Sequence, residues 1–164
     1  MALLDEQIVD EWLNRERFFT MRGIKCGVDE IDLLAVRLNE NAPEFWHVEV
    51  QVSYRPIGYI GGDSNARKRT DDEILEGVKQ WVEKKFTSER KIARRHEIQP
   101  NAKWRYVLVH GELKDVKELD YMRELGVELI SYKTILKDVR DSKGKYSSSV
   151  ASNIADMLQY LKNE

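Results

Sequence analysis

Two strand-like runs near the start of this 164-residue chain each carry a carboxylate where a strand is normally apolar. In Glu30-Ile31-Asp32-Leu33-Leu34-Ala35-Val36 the acid Asp32 sits among aliphatic neighbours. In Trp46-His47-Val48-Glu49-Val50-Gln51-Val52 the valines alternate with His47, Glu49 and Gln51, so a period of two gives one valine face and one polar face. A carboxylate in such a setting is costly unless it is paired, protonated or bound to a metal. Two of them on adjacent strands repel each other, and a divalent cation is the simplest compensation. Ordinary salt bridges, or a sheet with one wet face, are the other readings of the same residues.

The elements that must position this pair follow from pattern. Residues 39–44 (Asn-Glu-Asn-Ala-Pro-Glu) read as a polar loop, so the two runs form a hairpin. Upstream, residues 2–14 carry Leu4, Ile8, Val9, Trp12 and Leu13 at helical spacing, flanked by Glu6, Asp10 and Glu11. Residues 18–25 are aromatic and β-prone and predict a first strand, turned back by Cys26-Gly27-Val28-Asp29.

Downstream, residues 54–64 hold three glycines, a proline, Tyr54, Tyr59 and Ile60, a loop that serves as a flap over the site or packs in place. Arg67-Lys68-Arg69 precedes a helix capped by Thr70 or Asp71, with Ile74, Leu75, Val78, Trp81, Val82 and Phe86 as its buried stripe. Thr87-Ser88-Glu89 restarts the helix and introduces Arg90, Lys91, Arg94, Arg95 and His96, the densest basic run of the chain. A strand over 104–110, a helix over 115–125 stopped by Gly126, a strand over 127–132 and a helix over 133–140 follow. Residues 141–149 have the composition of a flexible linker, and 150–161 close the chain as an amphipathic helix with Ile154, Met157, Leu158 and Leu161 on one side. The expected organisation is one domain over 1–140, the linker, and a C-terminal helix packed on the domain or at a dimer interface.

Charge is distributed unevenly. Residues 1–50 hold 11 acidic and 5 basic side chains, whereas residues 51–100 hold 8 acidic and 11 basic ones. An acidic centre beside a basic region suits an enzyme that holds a cation and grips a polyanion, although solvated helix faces also produce such asymmetry. Cys26 is the single cysteine, which excludes an intrachain disulfide and a zinc-thiolate cluster. No apolar run approaches the roughly 20 residues of a membrane span. Met1-Ala2-Leu3-Leu4 runs straight into Asp5 and Glu6, unlike a secretory signal, so a cytoplasmic protein is expected.

The order helix, three strands, helix, strand, with acids on the first helix and on the second and third strands, resembles the PD-(D/E)xK nuclease superfamily. Within it, Glu30-Ile31-Asp32-Leu33-Leu34-Ala35 followed by His47-Val48-Glu49-Val50-Gln51 is similar to the branch of archaeal-type Holliday-junction resolvases. The resemblance covers residues 4–110 and implies an α/β fold, a three-layer α/β/α sandwich with a mixed central sheet and core order αβββαβ, as in restriction endonucleases. It implies a Mg2+-dependent endodeoxyribonuclease, with Mn2+ as substitute, acting on duplex or branched DNA, as a homodimer if both strands are to be cut.

By the same resemblance Asp32 is the metal-binding aspartate, Glu49 the acid of the tripeptide, and Val50 the carbonyl ligand. Glu6 is the helix-borne glutamate, with Glu11 as the alternative. Gln51 stands where the pattern has lysine; it can hydrogen-bond the attacking water but brings no charge. Lys25, Lys79 and Lys84 are candidates to supply that charge from another element. His47 shares the polar face as a hydrogen-bonded spacer or a phosphate contact. Arg67, Lys68, Arg69, Arg90, Lys91, Arg94 and Arg95 are the expected grip on the nucleic-acid backbone. The competing expectations are a non-catalytic DNA-binding relative of the same fold and a protein-interaction module.

Overall fold

Strand pairing explains most of the architecture. In the computed structural model, which describes residues 4–52, 68–113, 115–141, 153, 154, 156, 157 and 160, five strands lie side by side in the order in which they occur along the chain. They are β1 (Phe19–Cys26), β2 (Asp29–Leu38), β3 (Pro43–Gln51), β4 (Trp104–His110) and β5 (Val127–Ser131). The first three are antiparallel neighbours joined by tight turns, and β3, β4 and β5 run parallel, so the sheet is mixed. Parallel pairing needs long crossovers. The β3–β4 crossover contains α2 (Asp71–Val82), a π-helix (Glu83–Thr87) and α3 (Glu89–Ile98); α4 (Lys117–Glu124) joins β4 to β5. Helices α1 (Leu4–Arg15) and α5 (Tyr132–Asp141) precede and follow the sheet.

Alternation along the strands sends side chains to two cores. On one face Leu33, Ala35, Val48, Val107 and Val109 pack under Ile8, Val9 and Leu13 of α1 and Tyr132, Ile135 and Val139 of α5. On the other, Leu108 and Val127 pack with Ile74, Val78 and Val82 of α2, Phe86 of the π-helix and Met122 of α4. The fold is thus α/β with helices covering both faces. The uninterrupted Val107-Leu108-Val109 run marks a strand buried on both sides.

The hairpin turn is shorter than its polar composition suggests. β2 extends to Leu38 and β3 begins at Pro43, leaving 39–42 as the loop. Proline is tolerated at a first strand position, and the opposed pair Arg37 and Glu44 ties the strands together with an ion pair of 2.8 Å.

Local chemistry fixes the start of α2. Thr70 accepts a hydrogen bond from the Glu73 backbone N–H while the Glu73 carboxylate accepts one from the Thr70 N–H, a reciprocal capping box. Three acids in the first turn complement the helix dipole. The loop expected over 54–64 and the basic residue Arg67 lie outside the described residues, as does most of the 141–149 linker; the described positions between 153 and 160 are helical. Among the described residues no helix is long and apolar enough to cross a membrane.

Removing this cap should cost the fold a small, measurable amount. Thr70→Ala is expected to lower the unfolding free energy by about 1 kcal/mol in urea titration, with an unchanged m-value. A loss below a few tenths of a kcal/mol would show that α2 is held by packing alone.

Candidate functional site

The carboxylate pair sits where two strands part. The β2–β3 ladder runs from Leu38 opposite Pro43 to Leu33 opposite Val48 and stops there. The next opposed pair in that register is Asp32 and Glu49. Beyond it β2 stays with β1 down to Asp29, while β3 stays with β4 out to Gln51. The backbone amide of Val50, freed from the ladder, donates to Asp32 Oδ2 at 2.8 Å.

β2 also changes face at this point. Leu33 and Ala35 belong to the core under α1 and α5, yet Ile31 packs with Ile24, Cys26 and Leu34 on the other side. Strict alternation would keep Ile31 with Leu33, so the alternation breaks at Asp32. The β1–β2 pairing skips from Arg22 opposite Leu33 to Ile24 opposite Ile31, and the residue skipped on β1 is Gly23, whose φ of +59° is a left-handed conformation that glycine adopts at little cost.

On β3 the expected alternation holds, with Val48 in one core and His47 and Glu49 turned to the other side. Glu49 is 1% exposed and surrounded by cations. Lys85 Nζ donates to its Oε2 at 3.0 Å, Lys91 Nζ to its Oε1 at 2.6 Å, and His47 Nε2 lies 2.9 Å from Oε1. Burial works against the Lys85 ammonium, but Glu49, Asp32 and Glu6 outweigh it and hold its pKa above the ordinary lysine value. Burial and the Glu49 charge push the Asp32 carboxyl up to about 6, against the Val50 hydrogen bond and the two lysines. Burial first, then the charges of Arg95, Lys91 and Lys85, hold the His47 imidazole well below its usual value, so the ring is neutral.

The structure brings Asp32, inside β2, beside Glu49, Val50 and Gln51 at the end of β3, and separates the two helix-borne glutamates. Glu6 is 8% exposed and close enough to Lys85 for its charge to act on that ammonium. Glu11 accepts from Arg15 at 2.8 Å, and Arg15 also donates to the Val139 carbonyl, so Glu11 braces α1 against α5. Among the basic residues expected on a polyanion, Lys68, Arg69, Arg90 and Arg94 are exposed or half-buried; Arg90 faces Asp29 at 3.9 Å and Arg94 pairs with Glu97. Lys91 and Arg95 correct the expectation: both are buried and committed to Glu49 and to His47 respectively, not to the surface.

Lys85 is the site residue that sequence reasoning missed, in favour of Lys25, Lys79 and Lys84. Its signal was present: Lys85 continues the inward stripe of Val78, Trp81 and Val82 at spacings of three and four. The π-helix that carries it adds a residue to the turn, a feature frequent at functional sites.

Among the described residues no three His, Cys, Asp or Glu side chains gather as a metal-binding group. The pair nevertheless fits a hard cation. Burial and then the Glu49 charge raise the Asp32 pKa, and two carboxylates plus the Val50 carbonyl are an all-oxygen donor set of the kind magnesium uses while retaining several waters. A carboxylate offers about four lone-pair sites, and Glu49 has three protein partners, so capacity for a cation remains.

No family model and no curated protein matches the chain. A crystal structure described as "Protein of Unknown Function AF1548" aligns with 87% of this chain and 73% of its own, at 12% identity and a TM-score of 0.48.

The Asp32 environment has a direct thermodynamic consequence. A carboxyl whose folded pKa is raised to about 6 from 3.8 favours the fold fully below the lower value and loses that contribution as pH rises through the upper one. With EDTA present, Asp32→Asn should therefore be more stable than wild type at pH 7, by about 3 kcal/mol at most, and the difference should vanish near pH 4. Urea unfolding at stepped pH measures it. An Asn variant less stable than wild type at pH 7 would contradict the cost assigned to the buried Asp32 charge beside Glu49.

Proposed function

We propose that the chain is a metal-dependent DNA endonuclease of the PD-(D/E)xK type, with a restriction-endonuclease-like core in which a lysine from the π-helix replaces the missing tripeptide lysine. The observation that carries this reading is the 3.0 Å contact from Lys85 to Glu49, beside Asp32, where β2 and β3 diverge. It places an ammonium group next to the carboxylate pair that Gln51 alone could not supply. Asp32, Glu49 and the Val50 carbonyl would hold Mg2+ or Mn2+. The bound ion would lower the pKa of a water and polarise the scissile phosphate.

The remaining steps belong to side chains of this chain. Gln51 follows Glu49 on the polar face and orients the attacking water by a hydrogen bond. Lys85, about a quarter exposed, is free to turn its ammonium from Glu49 toward the negative charge that develops on the phosphoryl oxygens. Lys91 stays buried and holds Glu49 Oε1 at 2.6 Å. Glu49 and Asp32 hold Lys85 in its ammonium form against burial, with a smaller contribution from Glu6 on α1. Lys68, Arg69, Arg90 and Arg94 meet the DNA backbone, and two copies of the chain cut the two strands of a duplex.

One observation favours the second reading, a DNA-binding relative without turnover: the lysines neutralise Glu49 from the protein alone. Nicking of supercoiled plasmid and cleavage of branched DNA, each with magnesium and with manganese, separate the two. The nuclease reading expects cleavage that Asp32→Ala and Glu49→Ala abolish and that Gln51→Ala slows without loss of DNA affinity. Lys85→Met should lower kcat by about 100-fold or more, yet bind the metal at least as tightly in calorimetry, because a competing cation has gone. DNA binding without cleavage by either metal would establish the second reading.

A further inference from the structure

The buried face of α3 grips β3 at two points. Lys91 and Arg95, one helical turn apart, reach Glu49 and His47, which stand two residues apart on the same strand face. Arg95 is 4% exposed, and its contacts are specific. One terminal nitrogen lies 2.5 Å from His47 Nδ1 and donates to the Phe86 carbonyl at 2.7 Å; the other donates to the Tyr106 hydroxyl at 3.3 Å. The guanidinium therefore joins α3, the π-helix, β3 and β4 through one planar group.

A guanidinium has donors only, so His47 Nδ1 must be the acceptor of that contact. The proton of the neutral ring is then on Nε2, which lies 2.9 Å from Glu49 Oε1 and donates to it. Were the proton on Nδ1, it would face an Arg95 N–H, and Nε2 would present a lone pair to a carboxylate. Both contacts would be repulsive. The ring has no freedom to escape, being fully buried edge-on against Phe86 and Tyr106.

We propose that Arg95 is a positioning residue: by holding His47 in its Nε2–H tautomer and the Phe86 carbonyl in place, it fixes the Glu49 carboxylate relative to the π-helix that presents Lys85. Glu49 Oε1 is thereby pinned by His47 and Lys91, while Oε2 faces the movable Lys85. The consequence for activity rests on the nuclease reading; the tautomer and the orientation of Glu49 do not.

Long-range 1H–15N spectra of the three histidines, assigned with His96→Gln and His110→Gln, test this in the metal-free protein. Wild type should show a single Nε2–H tautomer for His47. Arg95→Met removes the donor and should give a mixture or the Nδ1–H form, whereas Arg95→Lys, which can still donate to Nδ1, should restore the wild-type signature. If cleavage is observed, Arg95→Met should lose about 10–100-fold in kcat, the size of loss typical when a ligand's supporting hydrogen bond is removed. KM for DNA should stay nearly unchanged, because Arg95 does not reach the backbone.

An Nδ1–H tautomer in wild type, or a wild-type signature that survives in Arg95→Met, overturns the assignment. If Arg95→Met does not fold, the wild-type spectrum and its retention in Arg95→Lys decide the matter. Tautomers that behave as expected in a protein that cuts no DNA would leave the positioning role standing and remove the nuclease reading.

Discussion

A carboxylate removed from water must be answered by positive charge or by hydrogen-bond donors, and at Glu49 two ammonium groups and one neutral ring N–H come from three separate elements. The π-helix brings Lys85, α3 brings Lys91, and β3 itself brings His47. Desolvating an ion costs several kcal/mol, so none of these groups stays buried without the others. This mutual requirement fixes how the β3–β4 crossover lies on the sheet: α3 must run with its Lys91–Arg95 edge inward and the π-helix must end beside Glu49. Hydrophobic packing alone would leave the crossover's rotation less defined, because Ile74, Val78, Val82 and Phe86 offer only a stripe.

The divergence of β2 and β3 is the complementary constraint. Where the ladder continues, backbone groups satisfy one another and side chains merely decorate the sheet. Where it stops after Leu33 and Val48, the Val50 amide needs a partner and finds the Asp32 carboxylate. The same opening lets two acids sit at one edge without being forced into face-to-face contact within the ladder. Burial first, and their residual repulsion second, raise the Asp32 pKa, which makes the pair receptive to protons or to a cation.

Much of this was legible in the sequence, and the exceptions share a cause. Strand alternation over 46–52 correctly turned Glu49 away from the valines, and the turn chemistry at Gly27 and Gly126 placed element boundaries well. The break at Asp32 was not legible, because it depends on a residue skipped on the neighbouring strand, Gly23, adopting a positive φ. The basic run over 90–95 misled for a related reason. Charge density along a sequence says nothing about which side of a helix meets solvent, and here Lys91 and Arg95 point inward while Arg90 and Arg94 do not. Lys85 was hidden by its type, since lysine on an apolar stripe is normally discounted.

The π-helix over Glu83–Thr87 makes the site sensitive to length as well as to composition. A turn of this kind holds one residue more than an α-helix would over the same rise. Deleting one residue there would let the turn close as regular helix with its flanks in place, and α3, which starts anew after the extended Ser88, would keep its edge on β3. The change would fall on the segment itself, where side-chain directions move by about 100° per residue, and Lys85 would no longer be presented to Glu49. Sequences descended from this one should therefore tolerate exchanges among the exposed residues of the segment far more readily than any change in its number, and the length of the turn that carries Lys85 becomes the trait under selection.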